Sequence, residues 1–518
     1  MRIIKAVLGV ALWGLTLSVA QAQDISLVSR DGAVRIDGDF RSFDGQFYRV
    51  ETEFGILTVD SAGVDCDGPA CVDVGSYVAD VRLVGATAIG DRLLPALVSG
   101  FAQEQGLLVN RRTLSPQTIL LELRKRDDDT PVADFTITLS TSAAGFAALA
   151  ADEADIALSL RDATRDEVSA GLAAGIGRLH DARRSRVLAL DALVPYVAPA
   201  NPVSAISLRD LSGVLAGEIT NWADLGGAEA PISVHVGVDG DALALDATAT
   251  VLAPFGKSLG GSVIAHSTQA GVTTALRQDP YALGLGSLSA PMGAKPLSLT
   301  GACGFHAYAT APLVKAEDYP LFAPLYAFTP ARILPKIASD FLDFIAAPAA
   351  QEVTRAQGFV DQGLVTIPMR DQGARLSNAI RAAGPDVSLS TLQGVVAALE
   401  GAERLSMSFR FTGGSSELDA QSRSNASALA RAIETGAFDG RSVIFVGFSD
   451  GAGAASLNRQ LSERRAQAVA RLVERLAVTY DPSRVSLSVS GYGEALPIAC
   501  DDAAWGRDLN RRVEVWLR

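Results

Sequence analysis

The chain has 518 residues, of which 48% are hydrophobic and 20% charged, and its formal net charge is −13. That length exceeds one ordinary core and predicts two to four domains of globular rather than disordered composition. The acidic balance excludes non-specific nucleic-acid binding, but it leaves anion binding open, because local hydrogen-bond donors decide that.

The first stretch, "MRIIKAVLGVALWGLTLSVAQAQ", has a basic start (Arg2, Lys5), a short apolar run and the small residues Ala20-Gln21-Ala22. It predicts a secretory signal peptide over 1–22, cleaved after Ala22. No cysteine follows that site and no later apolar run reaches bilayer length, so the expected product is exported and soluble. Four cysteines in an exported chain favour disulfides. Cys66 and Cys71 bracket "DGPA", a turn that a local bridge could close, and Cys303 would then pair with Cys500. This is the favoured arrangement among three, and the other two remain open. The histidines His180, His235, His266 and His306 are scattered at no metal-ligand spacing. Each is expected to be an ordinary structural or surface residue, with no metal and no cofactor.

Residues 23–76 read as a small β module. "ISLVSRDGAVRIDGDFRSFDGQFYRVETEFGILTVD" alternates apolar and polar residues between Asp-Gly turns, as short antiparallel strands do. No chemistry shows there, and an attachment or folding module is expected. Over 77–370 the pattern changes to strands alternating with helices, which is α/β organisation. "VRLVGATAI" is a strand, "DRLLPALVSGFAQEQG" a helix closed by Gly106, and "EADIALSL" and "VLALDALVPYVA" are further strands. "ASDFLDFIAAPAAQEVTRAQGF" is helical.

The segment "VLALDALVPYVAPANPVSAISLRDLSGVLAGEITNWADLGG", residues 187–227, is similar to the second-lobe segment of the phosphate-binding (PstS-like) proteins that feed ABC importers. "LVGATAIGDRLLPAL", "EADIALSLRDAT", "YPLFAPLYAF" and "FLDFIAAPAAQEVTRAQGFV" fall in that family's order. The resemblance covers roughly 290 residues and implies a two-lobed periplasmic-binding-protein fold with ligand in the cleft. The family holds its oxyanion with helix N-termini and hydroxyls, which suits the orphan N–H groups there. Thr87 in the first loop, Ser142 in "STSAAG" and Ser159 in "ALSLR" are the candidate anion-binding residues, although each could equally be a turn or cap residue. The third loop departs from the family. Where an arginine and Ser-Gly-Thr are usual, "HVGVDGDALALDATATV" offers Asp239 and Asp241, and carboxylates repel phosphate. Losing a charged hydrogen bond costs roughly 1.5–3 kcal/mol, so several such losses predict altered or lost phosphate specificity.

Residues 371–388 read as a polar connector with a short helix and a Gly-Pro break. Residues 389–518 then give the helix "LSTLQGVVAALEGA", the strand "LSMSFRF" and the helix "SELDAQSRSNASALARAIETG". The strand "SVIFVGFSD", the helix 457–476 and the strands "RVSLSVSGYG" and "RRVEVWLR" follow. Wound at about 100° per residue, 457–476 gathers Leu461, Val469, Leu472, Val473 and Leu476 on one stripe. Asn458, Ser462 and Arg465 fall on that same stripe. "FVGFSDGAG", "LNRQLSERRAQAV", "GYGEALP" and "NRRVEVW" together resemble the C-terminal domain of the OmpA-like family, which binds peptidoglycan, and imply an α/β sandwich.

By that match Asp450 and Arg465 are the ligand-gripping pair, with Asn458 beside them. Asp450 follows the apolar strand 443–448, expected to be central, at the end where open α/β sheets place ligands. The diaminopimelate of many peptidoglycan stem peptides ends in an ammonium and a carboxylate. Asp450 can accept from the first and Arg465 can fork onto the second. From spacing alone the two could equally form an internal ion pair, and Asp450 could be a plain turn residue. Arg511 and Arg512 are expected as strand-surface or interdomain contacts.

The sequence therefore predicts a multidomain α/β protein of the periplasm, associated with peptidoglycan and the outer membrane. It is read as a binding module and not an enzyme, since no metal cluster or histidine-based nucleophile arrangement shows in the sequence. A phosphate-binding component of an ABC importer, with a permease as partner, is the alternative. A hydrolase using the cleft is a weaker one. Phosphate or another small solute is the implied cleft ligand.

Overall fold

The structure is a computed structural model describing residues 24–181, 183–237, 250–290, 293–384, 386–411, 417–502 and 504–518. The expected signal peptide, Asp239 and Asp241 lie outside the described residues. The chain forms two compact units, divided after Val78.

In the first unit, five antiparallel strands run in the order Gly55–Asp60, Phe47–Thr52, Arg35–Phe43, Ile25–Ser29, Val64–Asp67. The alternating pattern buries Ile25, Leu27, Tyr48 and Val50 on one face. Asp44 shapes one turn by accepting from the backbone N–H groups of Gln46 and Phe47 at 2.9 and 2.7 Å, as Asp does in Asx turns. Cys66 and Cys71 are bonded to each other, as expected from the short loop between them.

The second unit begins at Ala79. Its main sheet has eleven strands. Ala79–Ala86 lies between Pro131–Ser140 and Ile156–Ser159, parallel to both. The strands Leu107–Ser115 and Thr118–Lys125 extend one edge, and sequence reading had not separated them. The 13-residue strand Ser185–Val197 pairs along its first half with Phe322–Phe328 and along its second with Ala282–Ser287. It thereby runs from the first lobe into the second. In the second lobe Ser233–Gly237 and Ile264–His266 continue the sheet in parallel. The "ITNWADLGG" segment is structural: Trp222 is buried and its indole N–H donates to the Tyr281 carbonyl at 2.9 Å. The stretch 336–356 is two helices, Lys336–Phe344 and Pro348–Ala356, because Pro348 starts a new first turn.

A five-stranded sheet closes the chain in the order Thr366–Pro368, Glu403–Arg410, Arg512–Leu517, Ser442–Gly447, Ser486–Gly491. Strand alternation splits its core in two. Phe445 and Val515 face the helices Ala420–Glu434 and Ala455–Leu476, whereas Ile444 and Trp516 face Gly373–Ala382 and Leu389–Leu399. Ser442–Gly447 is an inner strand, as its apolar run predicts, paired with Arg512–Leu517 on one side and Ser486–Gly491 on the other. Thr366–Pro368 belongs to this sheet although it precedes the expected connector, and Ala379 within that connector is buried in the core.

This last domain is joined to the lobes through buried charge. Arg404 donates to Asp318 at 2.5 and 3.0 Å, and Arg410 to Glu317 at 2.7 Å. Asn425 donates to the other Glu317 oxygen at 2.7 Å. Burial alone would raise Glu514, but the guanidiniums of Arg375, Arg404 and Arg512 hold it well below the usual carboxylate range. Arg512 is fully buried in this cluster rather than on a strand surface. Cys303 is bonded to Cys500, as favoured from the sequence.

Candidate functional sites

The helix Ala455–Leu476 crosses its sheet very closely at its N-terminal half. A Cβ on Gly447 would lie 1.9 Å from the Ser462 carbonyl oxygen, and one on Gly491 would lie 2.4 Å from the Glu463 amide. Only small or short polar groups fit beneath such a contact, and Asn458, Ser462 and Ala466 are the buried ones. Leu461, placed on the buried stripe by periodicity, is 38% exposed for that reason. Ser462 accepts from the Gly493 amide at 3.0 Å and donates to the Arg459 carbonyl at 2.8 Å.

Asp450 emerges beyond the end of strand Ser442–Gly447 and is 8% exposed. Arg465 is half-buried, its guanidinium 5.3 Å from the centre of the Phe411 ring and its Nη1 buried without a partner among the described residues. Burial first, and then the nearby Arg511, pull its pKa down, while Asp450 opposes them. Among the described residues no ion pair within 4.0 Å joins Asp450 to Arg465, so the two are not locked together. Asn458, 5% exposed, points its amide at Glu494 at 3.4 Å.

Three further groups complete the arrangement. Arg511, expected at a strand surface or an interdomain contact, instead donates to Asp450 at 2.5 Å. Glu494 sits beside Asn458, its pKa raised by burial first and then by Asp386, Asp501 and Asp450, against the Asn458 hydrogen bond. Asp501 accepts from the Gly451 amide at 2.6 Å and from Asn510 at 2.7 Å. Carboxylates (Asp450, Glu494, Asp501) and guanidiniums (Arg465, Arg511) thus gather in one neighbourhood, with Arg511 bonded to Asp450. The signal for Arg511 was the antiparallel pairing of Gly447 with Val513, which sets the start of one strand beside the end of the other.

Between the lobes lies a cavity of about 350 Å³, lined by Thr87, Asp91 and Arg92 on one side and Ser267, Thr268 and Gln269 on the other. Asp191, Ser287, Ser289 and Phe359 also line it. Asp191 is buried and accepts from Ser287 Oγ at 2.5 Å, Ser289 Oγ at 2.7 Å and the Ser289 amide at 3.0 Å. Burial raises its pKa against those hydrogen bonds. Arg92 donates to Ser289 Oγ at 2.9 Å and stacks 4.8 Å over Phe359.

Thr87 is the one sequence-selected hydroxyl among the described lining residues, and it donates to the Ser140 carbonyl at 3.3 Å. Ser142 accepts from the Leu160 amide at 3.1 Å, and Ser159, fully buried, donates to the Arg161 carbonyl at 2.7 Å. All three partners are backbone groups, and only the Ser159 contact is local, of the kind such residues make in turns. The structure does not bring the three hydroxyls to one point of the cavity wall.

The histidines are less scattered than their sequence positions suggest. His235 and His266, on neighbouring strands, face each other with ring nitrogens 2.9 Å apart. Burial first, then His266, lowers His235, while Asp279 opposes them. No group of three or more potential metal ligands occurs among the described residues, and none of their helices is long and apolar enough to cross a membrane.

Residues 113–349 match the family described as a PBP superfamily domain, and residues 410–511 match the OmpA family. The phosphate-binding protein PstS of Borreliella burgdorferi is 24% identical over 260 residues, covering 48% of this chain and 86% of that protein. Outer membrane protein A of Bordetella avium is 39% identical over 79 residues, 15% of this chain and 39% of that protein. Among solved structures, an ABC-type phosphate transport receptor from Vibrio cholerae shares 18% identity. The alignment covers 54% of this chain and 99% of that one, with a TM-score of 0.42. The chain thus joins a region similar to a PBP superfamily domain to a region similar to the OmpA family, in that order.

Proposed function

We propose that this is an envelope protein of the periplasm that binds peptidoglycan non-covalently through Asp450, Asn458 and Arg465. In this reading it displays beside the wall a two-lobed domain whose phosphate specificity is altered or lost. The observation that carries the anchor is the separation of Asp450 from Arg465, with one guanidinium nitrogen of Arg465 buried and unpartnered among the described residues. A diaminopimelate terminus has a group for each: its carboxylate suits the guanidinium of Arg465, and its ammonium suits Asp450, which Arg511 holds from one side. Asn458 contributes an amide hydrogen bond at the junction.

For the cleft, Asp91 and Asp191 stand against the single guanidinium of Arg92 among the described lining residues. That charge balance disfavours a phosphate dianion. It favours this reading over a wall-tethered importer component working with an ABC permease. Co-sedimentation of the full chain with purified peptidoglycan tests the anchor. Asp450→Ala and Arg465→Ala are each expected to abolish it, and wild-type pelleting by both overturns the assignment. Calorimetry with inorganic phosphate tests the cleft: no micromolar binding is expected, and micromolar or tighter binding restores the importer reading.

A further inference from the structure

Two-lobed binding domains close around ligands by bending at the segments that cross between lobes. Here the crossing segments are Ser185–Val197 and its partner Phe322–Phe328. The C-terminal domain is fastened on both sides of that crossing and at the crossing itself.

On the first lobe, Asp162 follows strand Ile156–Ser159. It accepts from Arg423 at 3.2 Å and from the Ala420 amide at 3.1 Å, both at the start of helix Ala420–Glu434. On the second lobe, Cys303, just beyond strand Ser298–Thr300, is covalently bonded to Cys500. Next to the crossing, the buried Glu317 and Asp318 are gripped by Arg410 and Arg404 of strand Glu403–Arg410. Ala420 is buried in the same apolar core as Val187 and Phe328 of the crossing strands. Arg404, Arg410 and Arg423 stand on the packed sheet and its helix, and Cys500 sits in the loop that Asn510 pins through the Ile498 and Ala499 amides beside the last strand. Bending between the lobes would carry Asp162 and Cys303 apart or together while the C-terminal domain holds both. Packed interiors deform little, and stripping a partner from a buried charge is strongly unfavourable.

We propose that the C-terminal domain is a brace that holds the two lobes at one aperture, so that the cleft does not open and close as a free hinge. The brace stands independently of which solute the cleft takes and of what the C-terminal domain binds.

The test is a distance measurement between the lobes in the full chain. Exposed positions on the two lobes are labelled through Gln103→Cys and Gln278→Cys, and double electron–electron resonance reads their separation. The expected result is one narrow distribution, unmoved by inorganic phosphate. Combining Cys303→Ser, Cys500→Ser and Arg423→Ala is expected at least to double its width. Asp162→Asn alone gives a milder release, should the combined variant fold poorly by circular dichroism. Two resolved populations in the parent protein overturn the brace, as does a phosphate-induced shift. A parental width retained in folded, released variants overturns it too.

Discussion

In the first lobe the hydroxyls of Ser142 and Ser159 are engaged by backbone groups, and in the cleft Asp191 is surrounded by serine donors. At the C-terminal site, among the described residues, Arg465 keeps a buried nitrogen without a partner, and Asp450 is held from one side by Arg511 alone. Both regions are polar and largely buried. The difference is whether the fold itself satisfies the polar groups. A group satisfied internally contributes to stability, whereas a desolvated group left unsatisfied is costly unless something else completes it. That contrast separates groups that the fold satisfies from the Arg465 nitrogen, for which no partner stands among the described residues.

The contrast can be broken most severely at the buried ion pairs. Arg404→Ala strands Asp318 and part of Glu514 in the interior. It is expected to cost about 3–5 kcal/mol in denaturant unfolding of the second unit. A loss below about 1 kcal/mol would place the pair in the class of surface ion pairs. Arg465→Ala should behave oppositely. Removing the Phe411 stacking is expected to lower stability by only about 0.5–1 kcal/mol, even though wall pelleting disappears. A large stability loss would move Arg465 into the architectural class.

The joint at Glu317 sharpens the comparison through pH. Burial pushes its pKa up to about 7, with Arg410 opposing. Between its ordinary value of 4.5 and about 7 the folded protein holds a proton that the unfolded chain has released. Stability is therefore expected to fall as pH rises through that window and to level off above it. Glu317→Gln should flatten that component of the slope, and an unchanged profile of melting temperature against pH would refute it. The smallest effect belongs to Ser142→Ala, which removes one acceptor from the Leu160 amide. It is expected to cost about 1 kcal/mol of stability in thermal unfolding, with no change in any solute titration.

Where the information was local, the sequence brought Asp450 and Arg465 into one neighbourhood, as the structure does. The spacing from Asp450 to Asn458 and Arg465 lies within one strand-turn-helix unit, and the Cys66–Cys71 bridge lies within one turn. The sequence carried less where the partner is remote. Arg511 meets Asp450 only because two strands 61 residues apart run antiparallel. Glu317 and Arg410 are 93 residues apart with no periodicity to announce them. Leu461 shows the limit of the helical wheel. Period alone marks a stripe, but the approach of the backbone at Gly447 and Gly491 decides which part of that stripe has room for leucine.

The four cysteines pair first with second and third with fourth along the chain. Oxidising each thiol in order of its synthesis therefore produces the native bridges without reshuffling a wrong intermediate. Any product truncated before Cys500 leaves Cys303 as a lone thiol, open to cross-linking with other chains. Thiol trapping of nascent or shortened forms would thus report directly on whether the final domain has been made.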